Sequence, residues 1–141
     1  MNPYERFILP RLIHLACGMK PIARQRRKVI PQAHGRVLEI GVGSGLNFAY
    51  YDPVKVEQLW ALEPCADIRK MAERKAGEVA FPVAFIDRPA ERIPLEDQSL
   101  DTVVTTFTLC TIPDAAAALN EMRRVLKPSG QLLFAEHGRA P

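Results

Sequence analysis

The fold is decided by residues 37–45, which read Val37-Leu38-Glu39-Ile40-Gly41-Val42-Gly43-Ser44-Gly45. The apolar residues around Glu39 predict a buried strand, and glycine at every second position after it predicts a tight turn. Because glycine has no Cβ, the backbone of this turn can approach a ligand closely. We expect a helix after the turn, whose free N–H groups and positive dipole end would face an anionic group. The stretch therefore predicts a ligand-binding turn between a strand and a helix.

An acidic residue, Glu63, ends the next apolar run, eighteen positions after Gly45. A carboxylate at this place is suited to accept hydrogen bonds from a ribose diol. The dinucleotide fingerprint G-x-G-x-x-G/A needs a small residue where this chain has Leu46, because a helix packs closely on a strand there. The spacing therefore favours another kind of nucleoside cofactor and argues against a dinucleotide oxidoreductase.

Length and composition indicate one globular domain. The 141 residues allow a real core but no second domain, and a net charge of +3 is too small to argue for nucleic acid as a partner. Three isolated cysteines, Cys17, Cys65 and Cys110, form neither a disulfide framework nor a zinc-binding spacing. We therefore expect no metal and a reducing, cytoplasmic location. The sequence shows no secretory signal and no apolar run long enough to span a bilayer.

Strand and helix signals alternate after residue 35, which is the pattern of βαβ units and a parallel sheet. The predicted strands cover residues 36–40, 58–62, 83–86, 100–107 and 131–136, and the predicted helices cover 67–76 and 115–126. Asp114 is placed to cap the second of these helices, and Pro128-Ser129-Gly130 predict a turn after it. We therefore predict an α/β fold with a Rossmann-like parallel sheet of about five strands, flanked by helices.

Residues 1–34 are predicted to form an N-terminal helical segment, and residues 35–141 the cofactor-binding domain. Within residues 4–30, an apolar helical face is interrupted by Pro10, Gly18 and Pro21. The basic run at 24–28 is expected to be a solvated helix face rather than a binding patch. An amphipathic, basic segment of this kind would also suit a weak peripheral contact with a membrane.

Candidate site residues cluster where the predicted strands end, which is where ligands of open parallel sheets bind. Glu39 lies inside the first strand, and a buried carboxylate there needs donors from the backbone or from a cofactor amine. Glu136 and His137 follow the last strand, and His137 is the histidine nearest the expected reaction face. Whether Tyr50 and Tyr51 edge a pocket or close the first helix stays open.

Several ordered blocks together resemble the class I S-adenosylmethionine-dependent methyltransferases. The first is the glycine turn preceded by Glu39 and followed by Asn47, with Glu63 downstream. Residues 90–101, AERIPLEDQSLD, are similar to the family's stretch A-E-x-L-P-x-x-D-x-S-F-D. Residues 112–133 are similar to the family's next helix, K-P-G-G turn and fifth strand. The resemblance runs from about residue 36 to the last residue and implies S-adenosylmethionine as the cofactor.

The resemblance also implies a role for each block of residues. The three glycines of the turn would lie beneath the methionine and ribose portions of the cofactor, and Glu63 would take the ribose hydroxyls. Backbone at Ala90-Glu91 would meet the adenine edge, and backbone near Thr106 would line the methionine end. The full set of predicted cofactor-binding residues is Glu39, Gly41, Gly43, Gly45, Asn47, Glu63, Pro64, Ala90, Glu91, Thr106 and Phe107.

The chain departs from the family pattern at two places. In many relatives an Asp before the Ala-Glu pair hydrogen-bonds the adenine amino group. Here that position is Pro89, so either Asp87 replaces it or that hydrogen bond is absent. The family's sheet usually has seven strands, whereas this sequence stops at Pro141, after the fifth. Because an uncovered edge strand is a template for pairing, we expect a homodimer or swapped assembly through the fifth strand.

The activity that the resemblance implies is methyl transfer to a small-molecule or lipid-like acceptor. Displacement at the methyl carbon of a sulfonium requires mainly proximity, alignment and exclusion of water. A general base is needed only if the acceptor must lose a proton, and no catalytic residue is predicted. The alternative is a truncated, non-catalytic module that binds S-adenosylmethionine or another nucleotide and acts through oligomerisation.

Overall fold

The computed structural model describes residues 8–17 and 19–138 and contains one five-stranded sheet. Every neighbouring pair of strands is parallel, and the order across the sheet is β3-β2-β1-β4-β5. The predicted α/β fold is confirmed. The strands are β1 (Gly35–Ile40), β2 (Val56–Leu62), β3 (Val83–Ile86), β4 (Leu100–Thr106) and β5 (Leu126–Ala135).

Both faces of the central strands β1 and β4 are buried, as expected for parallel strands covered by helices. On one face, Val37 of β1 and Val104 of β4 belong to a core cluster that includes Ala72 from the helix after β2. On the other face, Leu38 belongs to a cluster that includes Met122 from the helix after β4. Adjacent residues of β1 thus point into opposite cores, which fixes its register and the direction of the turn that follows.

The residues that the structure describes form four α-helices: α1 (Leu9–Cys17), α2 (Lys20–Val29), α3 (Ala66–Ala76) and α4 (Ala115–Val125). The carboxylate of Asp114 accepts a hydrogen bond from the Ala117 N–H at 2.9 Å, which confirms the predicted cap of α4. The described helical segment is interrupted between Cys17 and Lys20, as predicted. Pro21 lies in the first turn of α2, where a missing N–H costs nothing. Residues 4–7 and Gly18 of the predicted interrupted helix lie outside the described residues.

The predicted helix after the glycine turn is wrong. The chain forms turns after Gly41 and then only a three-residue 3-10 helix, Phe48–Tyr50. Tyr51 is already extended, with φ −65° and ψ 139°, and Pro53 disfavours helical backbone at the residue before it. Asn47, Phe48 and Tyr51 around this short helix are buried. Among the described residues, the turn is therefore not followed by a long helix whose dipole could face it.

The predicted turn at 128–130 is also wrong as a separate element. β5 begins at Leu126, directly after α4, and its register with β4 steps from Leu100↔Leu126 to Thr102↔Gln131. The residues between these pairs form an irregular excursion within the strand. Pairing of Leu126 with β4 extends the strand beyond the predicted 131–136, and no local pattern encodes that pairing.

Candidate cofactor-binding site

A cleft of about 290 Å³ lies beyond the carboxyl ends of the central strands, close to the lower limit of ordinary ligand pockets. Strand order reverses between β1 and β4 beside it, and such switch points open crevices in parallel sheets. Of the predicted cofactor-binding residues, the cleft brings together Gly41, Glu63, Pro64, Ala90 and Glu91. Its remaining lining residues are Ile40, Leu62, Pro89, Thr108, Thr111, Ile112 and Pro113.

The carboxylate of Glu63 is held at the edge of this cleft by backbone N–H groups. Its Oε2 accepts from Gly43 at 3.2 Å and its Oε1 from Cys65 at 3.0 Å. Burial raises the pKa of Glu63, while these two backbone hydrogen bonds act to lower it. Because each carboxylate oxygen can accept more than one hydrogen bond, the oriented group retains capacity for a diol.

The three glycines of the turn differ in which atoms a side chain at their position would meet. A Cβ on Gly41 would collide with the Thr108 side chain, and a Cβ on Gly45 would lie 3.2 Å from the Ala72 Cα. A Cβ on Gly43 would meet no other atom closer than 3.9 Å. Gly41 and Gly45 therefore serve close packing of the protein, and Gly43 is the glycine that leaves open space.

A buried polar network lies next to the turn, which we call the site cluster: Arg26, Glu39, Asn47, Tyr51 and Thr106. Glu39 is 1% exposed and accepts hydrogen bonds from Asn47 Nδ2 and Tyr51 Oη, both at 2.8 Å. Burial raises the pKa of Glu39 to about 7, against the lowering effects of Tyr51, Asn47 and Arg26. Tyr51 thus belongs to the interior network, which the sequence left undecided.

The amide of Asn47 joins the two charged members of the site cluster. Its Oδ1 accepts from Arg26 Nη1 at 2.6 Å, while its Nδ2 donates to Glu39. Arg26 Nη1 also donates to Thr106 Oγ1 at 2.9 Å. The end of β4 and helix α2 are therefore tied to the turn through one buried amide.

Arg26 overturns the prediction that residues 24–28 form a solvated helix face. Its neighbours Arg24, Arg27 and Lys28 are exposed, but Arg26 is only 6% exposed. A signal was present in the sequence, because Ile22, Arg26 and Ile30 recur at four-residue spacing and so share one helix face. An arginine between two isoleucines on that face is drawn inward with them.

Phe107, directly after β4, has a backbone φ of +52°, which is uncommon for a non-glycine residue. Its N–H donates to the Ala135 carbonyl at 2.8 Å, which holds this conformation. The Arg26 guanidinium lies 5.5 Å from the Phe107 ring centroid, and the His137 ring lies 4.9 Å away. Thr106 and Phe107 therefore contact the site cluster rather than line the cleft.

Two further candidates lie near the site without lining the cleft. Glu136 accepts hydrogen bonds from Thr105 Oγ1 at 2.7 Å and from the Thr108 N–H at 2.9 Å, so it organises the segment that follows β4. Asp87 is exposed and lies 4.0 Å from Arg88, whereas Pro89 lines the cleft. Within residues 8–17 and 19–138, no group of three or more His, Cys, Asp or Glu side chains could hold a metal ion.

Comparison with known proteins identifies the family of this site. A family model described as a methyltransferase domain matches residues 38–134, more than half of the chain. Human thiol S-methyltransferase TMT1B is 35% identical over 119 residues, covering 81% of this chain and 48% of that protein. The phosphatidylethanolamine N-methyltransferase of Cereibacter sphaeroides is 30% identical over 121 residues, covering 73% and 51%. The chain thus spans about half the length of these relatives.

Solved structures agree with the sequence matches. The YcgJ protein of Bacillus subtilis has a TM-score of 0.70 at 27% identity, covering 81% of this chain and 49% of that one. A Thermotoga maritima S-adenosylmethionine-dependent methyltransferase, named as a possible histamine N-methyltransferase, has a TM-score of 0.67 at 26% identity, covering 93% and 58%. The family resemblance and the cofactor that it implies are thereby confirmed. The chain belongs to the class I S-adenosylmethionine-dependent methyltransferases.

Proposed function

We propose that this chain binds S-adenosylmethionine and takes part in methyl transfer to a small-molecule or lipid-like acceptor. The observation that carries the proposal is the Glu63 carboxylate, fixed by Gly43 and Cys65 N–H groups at the mouth of an apolar cleft. A carboxylate oriented at the end of the second strand is the arrangement that accepts a ribose diol in open α/β folds.

The residues present fit the cofactor along its length. Glu63 would take the ribose hydroxyls, and Ala90 and Glu91 of the opposite wall would meet the adenine. Open space at Gly43 would let the chain of the cofactor pass over the turn toward the site cluster. Buried polar groups there would then hold its amino-acid end.

When bound, the cofactor supplies a methyl group attached to a sulfonium sulfur. Transfer of that methyl group to the acceptor leaves the sulfur as a neutral thioether. The protein's part is to fix the cofactor and to keep water from the reacting methyl. The mostly apolar cleft and the buried hydrogen-bonding groups beside it would serve these two tasks. No described side chain is assigned as a general base, and His137, which is exposed and contacts Phe107, has no assigned role.

Isothermal titration calorimetry with S-adenosylmethionine and S-adenosylhomocysteine tests the proposal. Replacing Glu63 by Ala should weaken binding by about 1–3 kcal/mol, because hydrogen bonds to a charged group are lost. Glu57, exposed on β2, provides a matched control, and Glu57→Ala should leave the affinity unchanged. Absence of binding by the folded wild type would rule out the proposed function, whereas unchanged affinity in Glu63→Ala would remove only Glu63 from the site.

The acceptor class is proposed from the names of relatives, which act on thiols, on phosphatidylethanolamine and on ubiquinone or menaquinone precursors. A peripheral membrane contact would suit such an acceptor. Its support is the exposed apolar side chains of Leu9, Leu12 and Leu15 on α1, next to the basic α2. No helix within the described ranges 8–17 and 19–138 is long and apolar enough to cross a membrane.

The isolated cysteines favour the cytoplasm, although a yeast relative, OMS1, is named as mitochondrial.

A second candidate, a non-catalytic module acting through oligomerisation, is favoured by the outer edge of β5. β5 ends the sheet, and no other described strand pairs with this edge. Leu132 and Phe134, which project from one face of this edge strand, are 36% and 62% exposed. We propose a homodimer or swapped assembly through β5. A monomeric mass in sedimentation velocity would contradict the assembly, and cofactor binding without turnover on thiol, amine or quinone acceptors would favour this candidate over the enzyme.

A further inference from the structure

We propose that a pocket on helix α2 binds the phosphate group of an anionic phospholipid at the surface of a bilayer. The pocket, which we call the basic pocket, is lined by Lys20, Ala23, Arg24, Arg27 and Tyr50. This inference rests on the membrane contact of the proposed function and deepens it, because it names the class of lipid and the residues that would bind it.

The basic pocket has a volume of about 430 Å³ and lies between α2 and the short helix after the glycine turn. Lys20, Arg24 and Arg27 follow one another at four- and three-residue spacing, so they share one face of α2. Ala23 lies on the same face, and its small side chain leaves room between the cations. Three positive charges therefore surround one concave surface.

The polar groups of the basic pocket have no partners within the part of the chain that the structure describes. Lys20, Arg24 and Arg27 are exposed, and none of them forms a hydrogen bond or an ion pair with another described residue. The hydroxyl of Tyr50, a partly buried residue, likewise has no hydrogen bond to residues 8–17 or 19–138. Phosphate oxygens are bound by donors of these kinds, and arginine binds them with two parallel hydrogen bonds.

The sequence around the basic pocket carries charge of one sign. Between Glu5 and Glu39 the chain has eight Lys or Arg residues and no Asp or Glu. The rest of the chain has eleven Lys or Arg residues against sixteen Asp or Glu. The positive charge is thus concentrated in the N-terminal helical segment, although the net charge of the whole chain is only +3. Segments of this kind are attracted to bilayers that contain anionic lipids.

Apolar side chains of the same segment favour a lipid as the source of the phosphate group. Leu12 and Leu15 of α1, with Ile8 just before it, recur at four- and three-residue spacing, and all three are exposed. Only two residues separate α1 from α2. Exposed apolar side chains beside a cationic surface are typical of helices that lie in a bilayer interface. A nucleic acid or a soluble phosphate ester would use the cations but not the apolar side chains.

The basic pocket shares two elements with the cofactor site. Arg26, on another face of α2, donates to Asn47 at 2.6 Å, and the short helix that ends at Tyr50 begins directly after Asn47. Docking of the basic pocket on a bilayer would therefore bring the membrane surface beside the site cluster. This placement suits the lipid-like acceptor that is proposed above.

Vesicle co-sedimentation tests the proposal. The wild type should bind vesicles of phosphatidylcholine and phosphatidylglycerol in equal parts about 100-fold more tightly, per accessible lipid, than vesicles of phosphatidylcholine alone. This value is expected because each cation at an anionic surface contributes about fivefold. The triple variant Lys20→Gln, Arg24→Gln, Arg27→Gln should lose this preference. Equal binding of the wild type to both kinds of vesicle, or an unchanged preference in the triple variant, would overturn the proposal.

Two further variants distinguish the basic pocket from a general effect of charge. Lys70→Gln, Arg74→Gln, Arg123→Gln removes the same charge from exposed positions on α3 and α4 and should change binding by less than about threefold. Tyr50→Phe keeps the charge but removes a hydroxyl donor, and it should weaken binding to the mixed vesicles about 3- to 10-fold. An equal loss in both triple variants, or no loss in Tyr50→Phe, would contradict binding in the basic pocket.

Other ligands separate the lipid from other sources of phosphate. Calorimetry should show that glycerol phosphate and a single-stranded RNA oligonucleotide bind more weakly than the mixed vesicles, and equal or tighter binding of either would overturn the assignment to a lipid. The triple variant at Lys20, Arg24 and Arg27 should bind S-adenosylhomocysteine as the wild type does. A wild type that binds this nucleoside but no vesicles would overturn this inference alone, whereas one that binds vesicles but not the nucleoside would overturn only the proposed cofactor binding.

Discussion

Two arginines of this protein belong to hydrogen-bonded clusters that include a carboxyl group, but they differ in how many of their guanidinium nitrogens have acceptors. Arg124 of α4, with Glu121 and Asp97, forms what we call the surface cluster. All three nitrogens of its guanidinium have acceptors: Nε donates to Glu121, Nη1 to Asp97 and the Leu95 carbonyl, and Nη2 to Glu121 and the Ile93 carbonyl. Arg26 donates to Asn47 and Thr106 through Nη1, and its buried Nε has no acceptor among the described residues.

The carboxyl groups of the two clusters titrate in opposite directions. Hydrogen bonding to Arg124 lowers the pKa of Glu121, whose neighbour Asp97 is well exposed. Burial raises the pKa of Glu39 to about 7 despite its hydrogen bonds. Desolvation therefore outweighs pairing inside the site cluster, whereas pairing dominates at the surface. The surface cluster fastens the segment before β4 to α4, and the site cluster carries the desolvation cost of a buried carboxyl group.

The largest expected effect comes from breaking the link inside the site cluster. Asn47→Ala should lower the free energy of unfolding by about 3–5 kcal/mol, because a buried cation and a buried carboxyl group each lose a hydrogen bond. Urea denaturation followed by circular dichroism measures this change. Asn120→Ala, exposed on α4, should stay within about 0.5 kcal/mol of the wild type. A loss below about 1 kcal/mol at Asn47 would mean that the network contributes little to stability.

The next effect is a pH dependence of stability caused by Glu39. Because its pKa is about 7 in the folded chain against an ordinary 4.5, the folded state binds the extra proton between these values. Stability should therefore fall as pH rises from about 4.5 to 7, by up to roughly 3 kcal/mol. Burial raises this pKa, and Tyr51, Asn47 and Arg26, the groups that face Glu39, act to lower it.

Denaturation of the wild type and of Glu39→Gln at a series of pH values isolates the effect. The variant cannot titrate at this position, so the difference in unfolding free energy between the two proteins should vary across pH 4.5–7. The raised pKa of Glu63 contributes in the same direction in both proteins and cancels. A difference that does not vary with pH would show that Glu39 has an ordinary pKa.

The two clusters also show which features of the structure can be predicted from the sequence. The strand at 83–86 and the cap at Asp114 were predicted correctly, because apolar runs and capping residues act locally. The glycine turn and Glu63 were placed together because they follow the carboxyl ends of two adjacent parallel strands, β1 and β2. Arg26 was missed because its burial depends on contacts with Asn47 and Thr106, which are 21 and 80 residues away in the chain. The spacing of Ile22, Arg26 and Ile30 indicates an inward-facing position, but it does not indicate which distant polar residues pair with Arg26 there.

The smallest expected effect is at the surface cluster. Arg124→Ala should lower the free energy of unfolding by about 1–2 kcal/mol, because the carbonyls of Ile93 and Leu95 remain free to bind water when the side chain is removed. Part of this loss should vanish in 1 M NaCl, since exposed ion pairs are screened by salt. Arg123→Ala, exposed on the same helix, controls for helix propensity and should change stability by less than about 0.5 kcal/mol. If Arg124→Ala lowered the free energy of unfolding as much as Asn47→Ala, the proposed energetic difference between the surface cluster and the site cluster would be wrong.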